Sequence, residues 1–191
     1  MTEEDFMFDE LIEKRRSIRR FTVEPLQPRQ IEKLAEAALR APSSRGLNPW
    51  EFIFVTDRQM LQRLSSAKPH GASFLAGAAL GVVVCGNPEV SDVWVEDTAI
   101  AAIFLHLAAA SLGLGSCWIQ IRKRKHSDDV SAESFVAELL QIPAHLRVES
   151  IIAVGHPAES KPAHSLESLQ KGKIHLQRHG QPFDPENAGQ K

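Results

Sequence analysis

Four guanidinium groups and a hydroxyl fall within one short run, Arg15-Arg16-Ser17-Ile18-Arg19-Arg20-Phe21. About one helix-length later, Pro42-Ser43-Ser44-Arg45-Gly46-Leu47-Asn48-Pro49-Trp50 leads two prolines and two serines up to an aromatic ring. Guanidinium and hydroxyl donors make short, charge-assisted hydrogen bonds to phosphate or carboxylate oxygens, so the first run suits an anion. The second is a stiff loop ending on a flat side chain. Together they describe a site for a ligand with an anionic end and a flat body. An arginine run by itself is more ordinarily a solvated helix face. Here Ser17 and Phe21 punctuate the run, and the Pro-Ser-Ser loop gives it a counterpart.

Other catalytic apparatus is missing from the sequence. There is no Cys-x-x-Cys, no His-Glu-x-x-His, and no pairing of the eight histidines at metal-ligand spacing, so no metal site is expected. Ser43 and Ser44 lack the Gly-x-Ser-x-Gly setting of an acyl-transfer nucleophile. No Walker loop is present. Gly113-x-Gly115 follows an expected helix, where a dinucleotide fingerprint follows a strand. A chain of this kind suits chemistry borrowed from a cofactor.

The elements that must position these residues follow from periodicity. Helices are expected over 5–14, from Pro28 to just before Pro42, over 58–66, about 92–112, and 131–140 with Ser131 as cap. Strands are expected over 51–56, 80–85, 116–121 and 150–154, and a short alternating one over 173–176. Residues 98–119 carry no formal charge and approach the roughly 20 residues of a membrane span. However, they are built on alanine and interrupted by His106, Ser111 and the Gly113/Gly115 break. We read them as a buried helix of a soluble protein, apolar all round because protein surrounds it or a twin subunit covers it. Helices and strands mix without regular alternation, which favours an α+β fold.

With 191 residues, 43% hydrophobic and 24% charged, the chain is expected to form a single domain over 1–180, followed by a polar tail over 181–191. A net charge of -2 gives no general attraction to nucleic acid or an anionic membrane, so any anion site is local. Cys85 and Cys117 read as buried free thiols. The acidic amino-terminal residues do not look like a signal peptide, and a cytoplasmic protein is expected.

Four segments in order resemble the nitroreductase family of FMN-dependent oxidoreductases. They are the arginine run; Ala41-Pro42-Ser43-Ser44 through Asn48-Pro49-Trp50-Glu51-Phe52; Glu96-Asp97 into the apolar helix and on to Leu112-Gly113-Leu114-Gly115-Ser116-Cys117-Trp118-Ile119; and Gly155-His156-Pro157-Ala158-Glu159 with Lys173-Ile174-His175. The resemblance implies a mixed, mainly antiparallel sheet surrounded by helices, with a long buried central helix. It also implies a homodimer that exchanges carboxyl-terminal segments and holds FMN at its interface. By position, Arg15, Ser17, Lys173 and His175 would hold the FMN phosphate, and Arg16 and Arg19 the ribityl chain and pyrimidine edge. Pro42, Ser43 and Ser44 would line the ring from the opposite subunit, with Asn48 in the same loop. Trp118, Ile119 and Gln120 would border the flavin, and Lys68 or His70 would add a mid-chain contact. The implied reaction is ping-pong: hydride passes from NADPH or NADH to FMN, then on to a nitroaromatic, quinone or similar small acceptor. Flavin reduction, dehalogenation, flavin breakdown and a non-catalytic flavin-binding module remain alternatives within the same fold. Asn48 stands where the family more often has Gln, Gly46 where Asn is frequent, and His175 where Arg is usual. The run Arg122-Lys123-Arg124-Lys125 reads as a solvated loop, or as an attractor for the extra phosphate of NADPH.

Overall fold

Leu80–Gly86, a run of seven apolar or glycine residues, is buried at every position and forms an inner strand of the sheet. The computed structural model describes residues 3–187. In chain order the elements are α1 (Glu3–Lys14), α2 (Pro28–Leu39), β1 (Trp50–Val55), α3 (Arg58–Leu64), β2 (Leu80–Gly86), α4 (Trp94–Ser111), β3 (Gly115–Gln120), α5 (Ala132–Leu140) and β4 (Arg147–Gly155). The strands lie in the order β1-β2-β4-β3, every pair antiparallel. The fold is α+β, as expected.

Alternation along the strands gives the sheet two apolar faces. On one, Val83, Cys85, Ile119 and Ile151 pack with Leu61 and Leu64 of α3 and Val136 of α5. On the other, Val82, Val84, Ile152 and Val154 pack with Leu34 of α2 and Ala102, Leu105 and Ala109 of α4. Helix starts follow local chemistry. Pro28 opens α2 behind a reciprocal Gln27/Gln30 capping box, Asp57 accepts from the Met60 N–H, and Ser131 accepts from the Ser134 N–H.

By composition and length α4 passes the test for a membrane span, yet Ala101, Ala102, Leu105 and Ala109 are wholly buried within the chain. Its other side is open. Ile100 is 37% and Ile103 43% exposed, so the single chain surrounds the helix on one side only.

Two sequence expectations change. The strand expected over 150–154 begins earlier, at Arg147, because Glu149 is buried in mid-strand and a carboxylate there disguises the apolar run. The register steps from Val84↔Ser150 to Cys85↔Val148, leaving Glu149 as the extra residue of a bulge. The strand expected over 173–176 is instead a 3-10 turn, Lys171–Lys173, followed by one bridge from His175 to Pro182. Four alternating residues need a partner strand, and that single bridge is all they find.

The chain divides into a body ending at Lys161 and a carboxyl-terminal segment beginning at Pro162. The segment consists of short 3-10 turns, including Leu166–Ser168 and Pro185–Asn187. Of the tail expected over 181–191, residues 188–191 lie outside the described residues.

Candidate functional site

β3 is an edge strand, and the arginine run lies against it. Ser17 bridges Ser116 in parallel, and the Ile18 N–H donates to the Ser116 carbonyl at 3.0 Å. Contact is close because residue 115 is glycine. A Cβ there would come within 2.8 Å of Ile18 Cβ and Cγ2.

The other flank of the run is held by the segment after β4. Thr22 N–H donates to His156 O at 2.9 Å, and Ala158 N–H to Arg20 O at 2.8 Å. The Glu159 carboxylate accepts from the Arg19 N–H at 2.6 Å and the Arg20 N–H at 3.2 Å. The Lys161 ammonium donates to the Ser17 carbonyl at 2.6 Å and lies 3.3 Å from Glu159. These bonds hold the Glu159 carboxyl below the usual carboxylate range, the Arg19 N–H contributing most. The backbone of the run is thus fixed by main-chain groups and by a Glu/Lys pair. Arg15, Arg16, Ile18, Gly115, Ser116 and Lys161 help to line a cleft of about 680 Å³.

Two buried groups support the edge from beneath. His106, on α4, places Nδ1 2.7 Å from Ser116 Oγ, and burial followed by the charge of Arg15 pushes its pKa down to about 4. A neutral imidazole therefore ties α4 to the strand that carries the run. The Cys117 thiol lies within hydrogen-bonding reach of the Ser17 hydroxyl, and burial raises its pKa. Cys85 is pushed up to about 12 by burial. Both thiols are free and buried, as expected.

Because the Ser116 carbonyl points away from β4, the antiparallel alternation turns the backbone groups of Trp118 and Gln120 to the same open edge. Ile119 pairs with Ile151 and its side chain is wholly buried. Of the three expected flavin-bordering residues, it offers no side chain to a ligand. The Trp118 indole donates to Gln120 Oε1 at 3.0 Å, and Gln120 Nε2 donates to the Arg122 carbonyl at 3.0 Å, which orders the end of the edge. Arg19 sits over the Phe74 ring, 5.8 Å from its centroid.

The Pro-Ser-Ser loop lies elsewhere. Ser43 Oγ donates to Asn48 Oδ1 at 2.7 Å and accepts the Asn48 N–H at 2.9 Å. Ser44 N–H donates to Asp97 Oδ1 at 2.7 Å, while Ser91 donates to Asp97 Oδ2 at 2.9 Å. Arg45 pairs with Asp92. Gly46 and Asn48 both adopt positive φ, 67° and 47°, which accounts for a glycine and an asparagine at these places. Asp97 stands in the first turn of α4, whereas Ser116 follows its last. Roughly 20 Å of helix separates them at 1.5 Å per residue. Within one chain, Pro42, Ser43, Ser44 and Asn48 do not meet Arg15, Arg16, Ser17 and Arg19.

Lys173 and His175 belong to the carboxyl-terminal segment, where the His175 ring lies 4.4 Å from that of His179. Lys68 is half-buried and His70 exposed. Sequence reasoning gives no task to Glu159 or Lys161 and reads His106, inside the apolar helix, as a hydrogen-bonded core or interface histidine, and it is buried and hydrogen-bonded. Glu159 stands in the closing motif of the resemblance, but nothing in the type or spacing of the three announces a backbone clamp or a buried relay.

The Nitroreductase family profile matches residues 12–70 and 65–156. The chain belongs to the nitroreductase family. A solved FMN-dependent nitroreductase from Clostridium difficile R20291 is 41% identical, superposes with a TM-score of 0.87, and is matched over 88% of this chain and 98% of its own. A protein of Archaeoglobus fulgidus, provisionally named NADH dehydrogenase/NAD(P)H nitroreductase, is 37% identical over 79% of this chain and 86% of its own length. The oxygen-insensitive NADPH nitroreductase of Salmonella typhimurium is 32% identical over 79% of this chain and 66% of its own length. The fold is thus that of the nitroreductase family, and in this chain the open edge of its sheet carries the arginine run.

Proposed function

We propose that this nitroreductase is an FMN-dependent homodimeric oxidoreductase that takes hydride from NADPH or NADH and passes the electrons to a nitroaromatic, quinone or similar small acceptor. The observation that carries the reading is the separation of the two motif halves by the length of α4. A ligand needing both the arginine run and the Pro-Ser-Ser loop must be bound between two chains. The open apolar side of α4, with Ile100 and Ile103 exposed, supplies the surface for such a pairing.

The residues fit FMN. Arg15 and Ser17, joined by Lys173 and His175, would hold the phosphate through charge-assisted bonds. Arg16 and Arg19 would reach toward the ribityl chain and the pyrimidine edge. Outward-facing backbone groups of Trp118 and Gln120 would border the ring, and Pro42, Ser43, Ser44 and Asn48 of the second chain would cover it. Bound FMN would supply the two-electron chemistry that no side chain here offers. The protein's own part is to bind, orient and exclude water. Reductant and acceptor would use the same space in turn, a ping-pong order, without an obligatory protein acid or base. Residues 1–180 would act as one flavin-binding domain with 181–191 as its tail, and the free, buried thiols suit a reducing cytoplasm.

The test is an absorption spectrum of the purified protein, repeated without oxygen after adding NADPH or NADH. Flavin bands that bleach support the reading. A colourless protein that also refuses added FMN defeats it.

A further inference from the structure

Asp97 lies buried in the first turn of α4 and makes none of the flavin contacts proposed above. Burying a carboxylate is costly unless donors meet it. Two do so here. Oδ1 accepts the Ser44 N–H at 2.7 Å, and Oδ2 accepts the Ser91 hydroxyl, itself buried, at 2.9 Å. The positive end of the α4 dipole adds to them.

These bonds hold a loop that has little else to hold it. Residues 45–48 are exposed, and Arg45, Gly46 and Asn48 in that tip all adopt positive φ. At the far end of the tip, Pro49 O accepts the Asn87 N–H at 2.8 Å, and Asn87 O in turn accepts the Ser91 N–H at 3.3 Å. At the near end, Ser44 N–H meets Asp97. Both ends are therefore tied to one stretch of chain, residues 87–97, and Asp97 closes the circuit through Ser91. The Arg45–Asp92 pair also spans the two loops, but both side chains are exposed, and such pairs contribute little. Because Asp97 bonds the main chain of Ser44, it sets where the loop runs rather than what one side chain does. About one turn further along α4 comes Ile100, on the open side of the helix. One helix thus carries both the anchor of the loop and the surface offered for pairing.

We propose that Asp97 is a positioning residue of the flavin site, fixing the Pro-Ser-Ser loop of one chain where it covers the flavin held by the other. This rests on the reading that the FMN site is shared between two chains. Asp97 acts on the flavin only through Ser44, so its loss is felt in the partner's site and not in the arginine run of its own chain.

The test measures FMN affinity by flavin fluorescence on the purified dimer. Asp97→Ala should weaken FMN binding about ten- to a hundredfold, the worth of a hydrogen bond to a charged group. Asp97→Asn keeps an oxygen for the Ser44 N–H and should recover most of the loss. A mixed dimer of Asp97→Ala with Arg15→Glu, purified through two different tags, separates positioning from a general loss of structure. Its Asp97→Ala chain supplies a sound arginine run, and its Arg15→Glu chain a sound loop. One site of the two should then bind FMN as tightly as the wild type. Absence of any tight site in that dimer would overturn the proposal in favour of a role in the fold of Asp97's own chain. Where Asp97→Ala fails to fold, Ser91→Ala removes one of the two donors and should show the same rescue by the partner. A wild type that binds FMN no more tightly than Asp97→Ala sinks this inference alone. One that takes up no FMN sinks the proposed function first.

Discussion

The Lys161 ammonium donates to the backbone carbonyl of Ser17 at 2.6 Å, across 144 positions of sequence. Ser17 and the arginines beside it are therefore aimed by a clamp that belongs to the end of the sheet. Lys161→Met keeps the aliphatic stem and removes the donor. It should weaken FMN binding about tenfold, the value of one charge-assisted hydrogen bond, while barely moving the urea midpoint. Lys161→Arg should recover most of the loss. Flavin fluorescence on dilution reads both, and unchanged retention in Lys161→Met would remove the clamp from the site.

Glu159 holds the same run from the other side, and its pH signature has a definite sign. Its folded pKa is depressed, chiefly by the Arg19 N–H. The contribution is present above the ordinary carboxylate range and is lost as pH falls through the depressed value. Flavin release on stepwise acidification should steepen there in the wild type and lose that step in Glu159→Gln. A variant with the same acid profile as the wild type would assign the step to another group.

Gly115 lets the run lie on β3. A methyl group at 2.8 Å from Ile18 cannot be accommodated while Ile18 keeps its bond to Ser116. Gly115→Ala should cost about 1–3 kcal/mol of stability, the usual toll of overpacking, and should cost flavin affinity as well. Denaturant titration and flavin content measure the two losses, and loss of stability alone would mean the run tolerates the shift.

His106 gives a second pH dependence, seen in folding. Burial and Arg15 lower its pKa from the ordinary 6.5 to about 4. Between those values the unfolded chain binds the extra proton, so stability is full above about 6.5 and is lost as pH falls toward 4. The ceiling on this contribution is roughly 3 kcal/mol. His106→Asn should be less stable at neutral pH and show a flatter decline into acid. Urea unfolding at a series of pH values decides, and parallel curves for the two proteins would locate the acid sensitivity elsewhere.

Much of this was legible in the sequence, for stated reasons. Periodicity exposes α2 and α5, and continuous apolar character exposes β2, because those signals are local. Glu149 hid half of β4, since a buried carboxylate at a bulge contradicts the pattern that identifies a strand. The arginine run suggests an anion site through its residue types taken together with Ser17, Phe21 and the Pro-Ser-Ser loop. Its supports, Glu159, Lys161 and His106, are single residues whose roles exist only after β3, β4 and α4 have been assembled. The side-chain direction of Ile119 is likewise set only by the assembled sheet. It stands between two residues that face the open edge, yet strand alternation turns its side chain into the core.

The distance along α4 between Ser44 and Ser17 allows the shared site to be tested by complementation. Arg15→Glu should destroy the phosphate end of every site, and Ser44→Trp should block the covering loop of every site. Each variant alone should form a dimer poor in flavin. Co-expressed with different tags and purified through both, they form mixed dimers. If each site takes its arginine run from one chain and its loop from the other, one site in the mixed dimer carries both lesions and its twin carries neither. About half of the wild-type flavin should then return, together with bleaching by a nicotinamide. If each site were built within one chain, every site would keep one lesion and no flavin would return. Ile103→Asp completes the argument, because a charge on the open side of α4 should separate the chains. The resulting monomer should lose FMN although Arg15, Ser17 and Lys161 are untouched, and a monomer that still binds flavin tightly would show that one chain suffices.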